Sequence, residues 1–173
     1  MKIDKKLKFL KNLMMSGYND FELAYATLSD EGVPIWSKWR SYMELMFLSD
    51  KKKVEFIEKA NNRTILKNEI VLDVDENPTI EKFNKICDSL DKRGYSYKGY
   101  FTGSKGYHIH VNDDMLLSFG RVARETMKLN LIRKYGCDEQ KAHERCMIAL
   151  EHAPHWKTGK RKKLLRCSKN EFR

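Results

Sequence analysis

The pattern of hydrophobic and polar residues changes once along the chain, near Glu69. Before that point, apolar residues recur every three or four positions in two stripes: Leu7, Leu10, Leu13 and Met14, then Trp36, Trp39, Met43, Met46 and Phe47. This is the spacing of one face of an α-helix, and Pro34 is a helix start signal. Residues 1–64 are therefore predicted to form a mainly helical N-terminal region.

From Glu69 the pattern alternates, as it does in a strand. In "NEIVLDVDENPT", the side chains of Ile70, Leu72 and Val74 point to one face, whereas those of Val71, Asp73 and Asp75 point to the other. A helix capped by Thr79 follows and ends at Gly94. Two short strands, "YSYKGYFT" and "YHIHV", then flank a turn at residues 103–106. Further helical patterns follow at residues 116–135 and in "CDEQKAHERCMIAL".

This order of elements predicts the fold class. We expect an α+β fold in which a small mixed sheet with a strand-helix-strand-strand core is flanked by helices. A length of 173 residues suits one domain over residues 1–173, with a catalytic core at residues 65–173 behind the helical N-terminal region.

Composition narrows the class of partner. The net charge of +10 favours a polyanion, and an apolar content of 41% argues against disorder. The four cysteines contain no CxxC pair, which argues against a zinc ribbon and a disulfide scaffold and favours a reducing cytoplasm. Lysines interrupt every N-terminal apolar run, so no signal peptide or membrane span is expected.

Two segments carry the candidate chemistry. Asp73 and Asp75 share one strand face, where their oxygens can bind hard cations such as Mg²⁺ or Mn²⁺. In "FTGSKGYHIHV", glycines allow backbone N–H groups to surround a phosphate, and Ser104 and Lys105 add a hydroxyl and a positive charge. His108 follows directly and can donate to a phosphate oxygen.

These segments resemble the first two motifs of the archaeo-eukaryotic primase superfamily. The family pattern is an apolar strand ending in Asp-x-Asp, followed by Ser-Gly-x-x-Gly-x-His on a later strand. Here "IVLDVD" and "YFTGSKGYHIHV" match it, with Thr102 at the usual serine and His108 at the family histidine. Gly-Ser-Lys-Gly-x-His is also similar to the polymerase domains of bacterial end-joining ligases.

The resemblance also implies a third motif. In the family a third aspartate precedes Ser-x-His-x-Lys-Thr-Gly, and Asp138 stands ahead of His155 and Lys157 at nearly that spacing. Ala153 replaces the usual serine. Glu144 and Glu151 remain alternatives for the third carboxylate if the gap is misplaced.

The resemblance implies a primase-like nucleotidyltransferase that makes short primers on single-stranded DNA. Two Mg²⁺ or Mn²⁺ ions would be held by three carboxylates: Asp73, Asp75 and Asp138. The nucleoside triphosphate would be held by seven residues: Gly103, Ser104, Lys105, Gly106, His108, His155 and Lys157. No zinc is expected, because a zinc knuckle does not fit between His110 and Asp138. Lys160–Lys163 and Arg166 would follow template phosphates, and a large subunit or a helicase is a candidate partner.

Two other functional classes compete with this interpretation. The pair His108 and His110 also resembles the metal site of rolling-circle nucleases, in which case Tyr135 would be the nucleophile. A non-enzymatic module that binds single-stranded nucleic acid would need neither a divalent ion nor nucleotide chemistry.

Overall fold

The computed structural model describes residues 5–17 and 20–168. Its α-helices are α1 (Lys5–Met15), α2 (Tyr42–Met46), α3 (Asp50–Lys59), α4 (Ile80–Lys92) and α5 (Arg121–Lys134). Its strands are β1 (Glu22–Ala24), β2 (Ala26–Leu28), β3 (Pro34–Trp36), β4 (Arg40–Ser41), β5 (Asn62–Thr64), β6 (Glu69–Val74), β7 (Ser96–Phe101), β8 (Tyr107–Asn112), β9 (Met147–Ala149) and β10 (Lys163–Cys167). Two 3₁₀ helices span Asp114–Ser118 and Glu139–Ala142.

The chain divides into two compact units. The first unit comprises Met1–Thr64 and Met147–Lys162, and the second comprises Ile65–Cys146 and Lys163–Arg173. Each unit therefore consists of two separate segments of the chain.

The first unit contains a four-stranded antiparallel sheet in the order β4-β1-β5-β9, together with the hairpin β2-β3. Helix α1 agrees with the predicted stripe at Leu7–Met14. The helix predicted from Pro34 through Phe47 is wrong at its start, because Pro34–Trp36 pairs with Ala26–Leu28 as a strand. The helix begins only at Tyr42, where Ser41 and Glu44 form a capping box.

The second unit contains a four-stranded sheet in the order β10-β7-β8-β6. The side chains of Ile70, Leu72 and Val74 on β6 lie in the core with those of Ile109 and Val111 on β8. Apolar residues of α4 and α5 belong to the same cluster, so both helices cover this face of the sheet. Thr79 caps α4 by accepting the Lys82 N–H at 3.1 Å, as predicted.

The α+β fold class is confirmed, but the sheet of the second unit is antiparallel at every pairing between its described strands. A mixed sheet was expected because β6, α4 and β7 form a strand-helix-strand unit. Strands β6 and β7 do run parallel to each other, but β8 lies between them and is antiparallel to both.

The segment "CDEQKAHERCMIAL" does not form the predicted helix. Asp138 caps the 3₁₀ helix Glu139–Ala142, and Met147–Ala149 becomes β9, which pairs with β5. This pairing joins residues more than eighty positions apart in sequence, so local periodicity carries no sign of it. Across the described ranges, no helix is long and apolar enough to cross a bilayer.

Candidate active site

The polar face of the second unit's sheet carries the predicted site. Asp73 on β6 lies directly opposite His108 on β8, and Val71 lies opposite His110. Because side chains alternate along a strand, this face is opposite to the one covered by α4 and α5. The sheet therefore presents Asp73 and His108 away from the helical layer.

Asp73 is buried between His108 and Lys141. Its side chain is 4% exposed, with Oδ1 at 3.4 Å from His108 Nε2 and Oδ2 at 3.4 Å from Lys141 Nζ. Burial alone would raise the pKa of Asp73, but the attraction of His108 and Lys141 outweighs this effect and lowers the pKa to about 2. Asp73 is therefore ionised at neutral pH.

Asp75 lies just beyond the end of β6, against the loop of residues 102–106. A Cβ atom at Gly106 would overlap Asp75 Oδ1 and would lie 3.2 Å from the Val74 carbonyl oxygen, so a side chain here would require the Asp75 carboxylate to move. Burial, and then repulsion from Asp73, raises the pKa of Asp75. The loop and the second carboxylate are thus in direct contact.

The loop itself is held in a tight conformation. The backbone N–H and the hydroxyl of Thr102 both donate to the Gly106 carbonyl oxygen at 3.1 Å. The Ser104 N–H reaches the Thr102 hydroxyl oxygen at 3.4 Å. Gly103 has a φ of 91°, a conformation that side-chain-bearing residues rarely adopt. Lys105 is exposed at the tip of the loop, and its charge attracts Asp75.

Asp138 lies beside Asp73. The Asp138 N–H donates to the Asp73 carbonyl oxygen at 3.3 Å, and its Oδ2 lies 3.7 Å from Lys141 Nζ. Because Lys141 Nζ also contacts Asp73 Oδ2, one ammonium group bridges the two carboxylates. The second unit thus brings together Asp73, Asp75 and Asp138, although they come from segments more than sixty residues apart.

The two alternative carboxylates each form ion pairs. Glu144 pairs with Arg124, whose Nε donates to Glu144 Oε1. Glu151 belongs to the first unit, where it accepts two hydrogen bonds from Arg63 at 2.8 Å and one from Lys162 at 3.2 Å.

His155 and Lys157 lie in the first unit, in the segment between β9 and β10. The His155 N–H donates to the Lys160 carbonyl oxygen at 2.8 Å, and the Lys157 N–H donates to His155 Nδ1 at 3.2 Å. The His155 ring stacks on Trp156, and Lys157 is exposed. Ala153, which replaces the serine of the family motif, is buried.

The predicted basic tail is wrong at Lys162. Lys162 is buried and donates to Glu151 and to the Ala149 carbonyl oxygen. Arg166 lies on β10 and pairs with Asp88 and Asp91 of α4, at 2.7 Å each. Lys162 is therefore not presented to solvent, whereas the Arg166 side chain is partly exposed and held in these ion pairs.

The nuclease interpretation finds little support in the geometry. His110 Nδ1 lies 2.6 Å from Glu69 Oε1, and His108 faces Asp73. Tyr135 packs against the core cluster on the helical side of the sheet, where its hydroxyl lies 3.0 Å from Ser89 Oγ of α4. The histidines and Tyr135 therefore lie on opposite faces of the sheet.

The donor set fits hard divalent cations. Asp73 Oδ1 is buried, and apart from its contact with His108 Nε2 at 3.4 Å it receives no hydrogen bond from the described part of the chain. Such an oxygen is costly to bury unless a ligand satisfies it. Together with carboxylates at Asp75 and Asp138, it provides the all-oxygen environment that Mg²⁺ and Mn²⁺ prefer.

The chain has the fold of solved primase and polymerase domains. This confirms the resemblance noted in the sequence at the level of the fold. No protein-family model matches the chain, and no curated protein matches it significantly.

Three solved structures share the fold. The AEP domain of the primase-polymerase of cyanophage S-2L has a TM-score of 0.57 at 14% identity, over 95% of this chain and 91% of that one. The DNA-bound polymerase domain of Mycobacterium tuberculosis ligase D has a TM-score of 0.60 at 10% identity, over 98% and 85%. The primase RepB′ has a TM-score of 0.60 at 16% identity, over 95% of this chain and 57% of that one.

Sequence reasoning missed Lys141. The signal was the Asp138-x-x-Lys141 spacing, which places the two side chains together once the segment is read as a 3₁₀ helix. In the predicted α-helix, the same lysine had no reason to face β6.

Proposed function

We propose that this chain is a template-directed nucleotidyltransferase, a primase-polymerase that synthesises short primers on single-stranded DNA from nucleoside triphosphates. The observation that carries the proposal is that Asp138 lies beside Asp73 while Asp75 contacts the loop at residues 102–106, within a fold shared with primase-polymerases. A net charge of +10 suits both the template and the triphosphate.

In this mechanism Asp73, Asp75 and Asp138 hold two Mg²⁺ or Mn²⁺ ions. Such ions, when bound, neutralise the triphosphate charge and lower the pKa of the attacking 3′-hydroxyl. Asp73 contributes a permanently ionised carboxylate, because His108 and Lys141 keep its pKa near 2. Asp75 contributes a second carboxylate at the point where the loop meets the strand end.

The loop at residues 102–106 binds the phosphates. Gly103 and Gly106 let the backbone approach the anion closely, while the Ser104 hydroxyl and the Lys105 ammonium supply a donor and a charge. His108 completes this side of the phosphate site. Phosphoryl transfer of this kind depends on positioning and charge neutralisation rather than on covalent catalysis.

The test is dinucleotide synthesis on a single-stranded DNA template in the presence of Mg²⁺ or Mn²⁺. We expect Asp73→Ala and Asp75→Ala each to reduce the rate at least about a hundredfold, because charge stabilisation by the metal ions is worth several kcal/mol. Asp30→Ala, which alters an exposed aspartate in a turn of the first unit, is the matched control and should retain the rate. If Asp73→Ala folds and retains the wild-type rate, Asp73 does not belong to the active site. Binding of single-stranded DNA without any divalent-dependent synthesis would favour the non-enzymatic module instead.

A further inference from the structure

Lys141 occupies the space between two of the carboxylates assigned to metal binding. Its Nζ lies 3.4 Å from Asp73 Oδ2 and 3.7 Å from Asp138 Oδ2, and its side chain is only 16% exposed. Two carboxylates this close to one another repel strongly unless a positive charge lies between them. Lys141 supplies that charge from within the chain.

The position of Lys141 follows from local structure. Asp138 caps the 3₁₀ helix Glu139–Ala142 by accepting the Gln140 N–H at 3.0 Å. A 3₁₀ helix has about three residues per turn, so residues i and i+3 lie on the same side. Accordingly the Lys141 N–H donates to the Asp138 carbonyl oxygen at 3.2 Å, and both side chains face β6. The turn of the 3₁₀ helix therefore places Lys141 next to the carboxylates, and its side chain is largely buried there.

We propose that Lys141 is an internal counter-ion that competes with the divalent ion for Asp73 and Asp138. In the metal-free protein the ammonium holds the two carboxylates together. A divalent ion that binds both oxygens must displace it, which weakens metal binding relative to a site without the lysine. This inference rests on the proposed function, because it concerns the same carboxylates, and it adds that the chain regulates metal occupancy through its own side chain.

Competition with the metal ion and a purely structural role of Lys141 predict opposite effects of removing this lysine on metal binding. If Lys141 only supported the fold of the site, its removal would disorder the carboxylates and weaken metal binding. If it competes, its removal frees Asp73 Oδ2 and Asp138 Oδ2 and strengthens metal binding. The sign of the change therefore separates the two roles.

The experiment measures Mn²⁺ affinity by electron paramagnetic resonance of free Mn²⁺, without nucleotide or DNA. Lys141→Met removes a positive charge next to the two carboxylates. We therefore expect this variant to bind Mn²⁺ at least about tenfold more tightly than the wild type does. Lys141→Gln provides a second neutral variant in case Lys141→Met fails to fold. Lys141→Arg keeps the charge and should keep weak binding, and Lys85→Met, at an exposed position of α4, should behave as wild type.

Each measurement is repeated with Asp73→Asn to identify the site. Suppose that wild-type Mn²⁺ binding depends on Asp73 but that the affinity of both neutral variants is unchanged or weaker. This result would overturn the role of Lys141 and leave the proposed function standing. If neither wild type nor the neutral variants bind Mn²⁺ in an Asp73-dependent way, both proposals fail.

Discussion

Gly106 offers a way to disturb the candidate site without removing any of its functional groups. Its backbone lies so close to Asp75 that an added Cβ atom would overlap Asp75 Oδ1 and would lie 3.2 Å from the Val74 carbonyl oxygen. Gly106→Ala therefore forces the Asp75 carboxylate to rotate away, because the side chain yields more easily than the strand backbone. No charge is removed and no donor is deleted.

The effects on stability and on activity should differ. Relief of the overlap by a side-chain rotation limits the loss in free energy of unfolding to about 1–2 kcal/mol. A carboxylate displaced by roughly 1 Å from a metal site can lower the rate of reaction about a hundredfold. We therefore expect kcat/KM for dinucleotide synthesis to fall between about tenfold and a hundredfold, with a folded protein.

Gly120→Ala is the matched control. Gly120 is the N-cap residue of α5, with φ −65°, and a Cβ atom added there would meet nothing within 4 Å beyond its own helix and chain neighbours. Replacing an N-cap glycine with alanine should cost up to about 1 kcal/mol of stability without moving any site residue. Denaturant unfolding measures the two stabilities, and the primer assay measures the two rates. A wild-type rate for Gly106→Ala would refute the assignment of Asp75 to the active site.

Two further predictions concern groups around the site. His108→Ala should raise KM for the nucleotide more than it lowers kcat, because it removes a proposed phosphate contact, and steady-state kinetics with varied triphosphate measures both; unchanged KM would contradict that role. The second prediction concerns Lys128, which is fully buried and whose Nζ donates to the Leu66 carbonyl oxygen at 2.9 Å. Burial lowers the pKa of Lys128 from the usual 10.5 to about 8. Between these two values the unfolded chain binds more protons than the folded one, so this group makes the protein more stable as pH rises from 8 to 10.5. Relative to Lys128→Met, the wild type should gain up to about 3 kcal/mol over that interval in chemical unfolding; a difference that does not vary with pH would show that Lys128 titrates normally.

The sequence predicts the second unit well because its signals are local. The alternation along β6, the cap at Thr79 and the glycines of the loop each depend on neighbouring residues, and each appears in the structure. The short loop also sets the register between β7 and β8, which places Tyr100 opposite His108. Alternation then assigns His108 and His110 to one face of the sheet, as the sequence indicated.

The parts that failed depend on contacts distant in sequence. Met147–Ala149 is a strand only because β5 is available to pair with it, and Pro34–Trp36 is a strand because Ala26–Leu28 precedes it as a hairpin partner. Likewise, β8 lies between β6 and β7, and this strand order brings His108 opposite Asp73. The periodicity of the sequence does not specify the strand order. Lys141 was missed for the same reason, since its role depends on facing β6.

The Asp-x-Asp spacing gives no reason to distinguish its two carboxylates, Asp73 and Asp75. In the structure, however, their surroundings shift their pKa values in opposite directions. Asp73 is buried, and His108 and Lys141 lower its pKa to about 2, so it stays ionised through any ordinary working pH. Asp75 has no cation as close among the described residues, and burial together with repulsion from Asp73 raises its pKa. As pH falls, Asp75 therefore gains a proton before Asp73 does. A divalent ion held by Asp73 and Asp75 would relieve this repulsion, so metal binding and ionisation of Asp75 would reinforce each other.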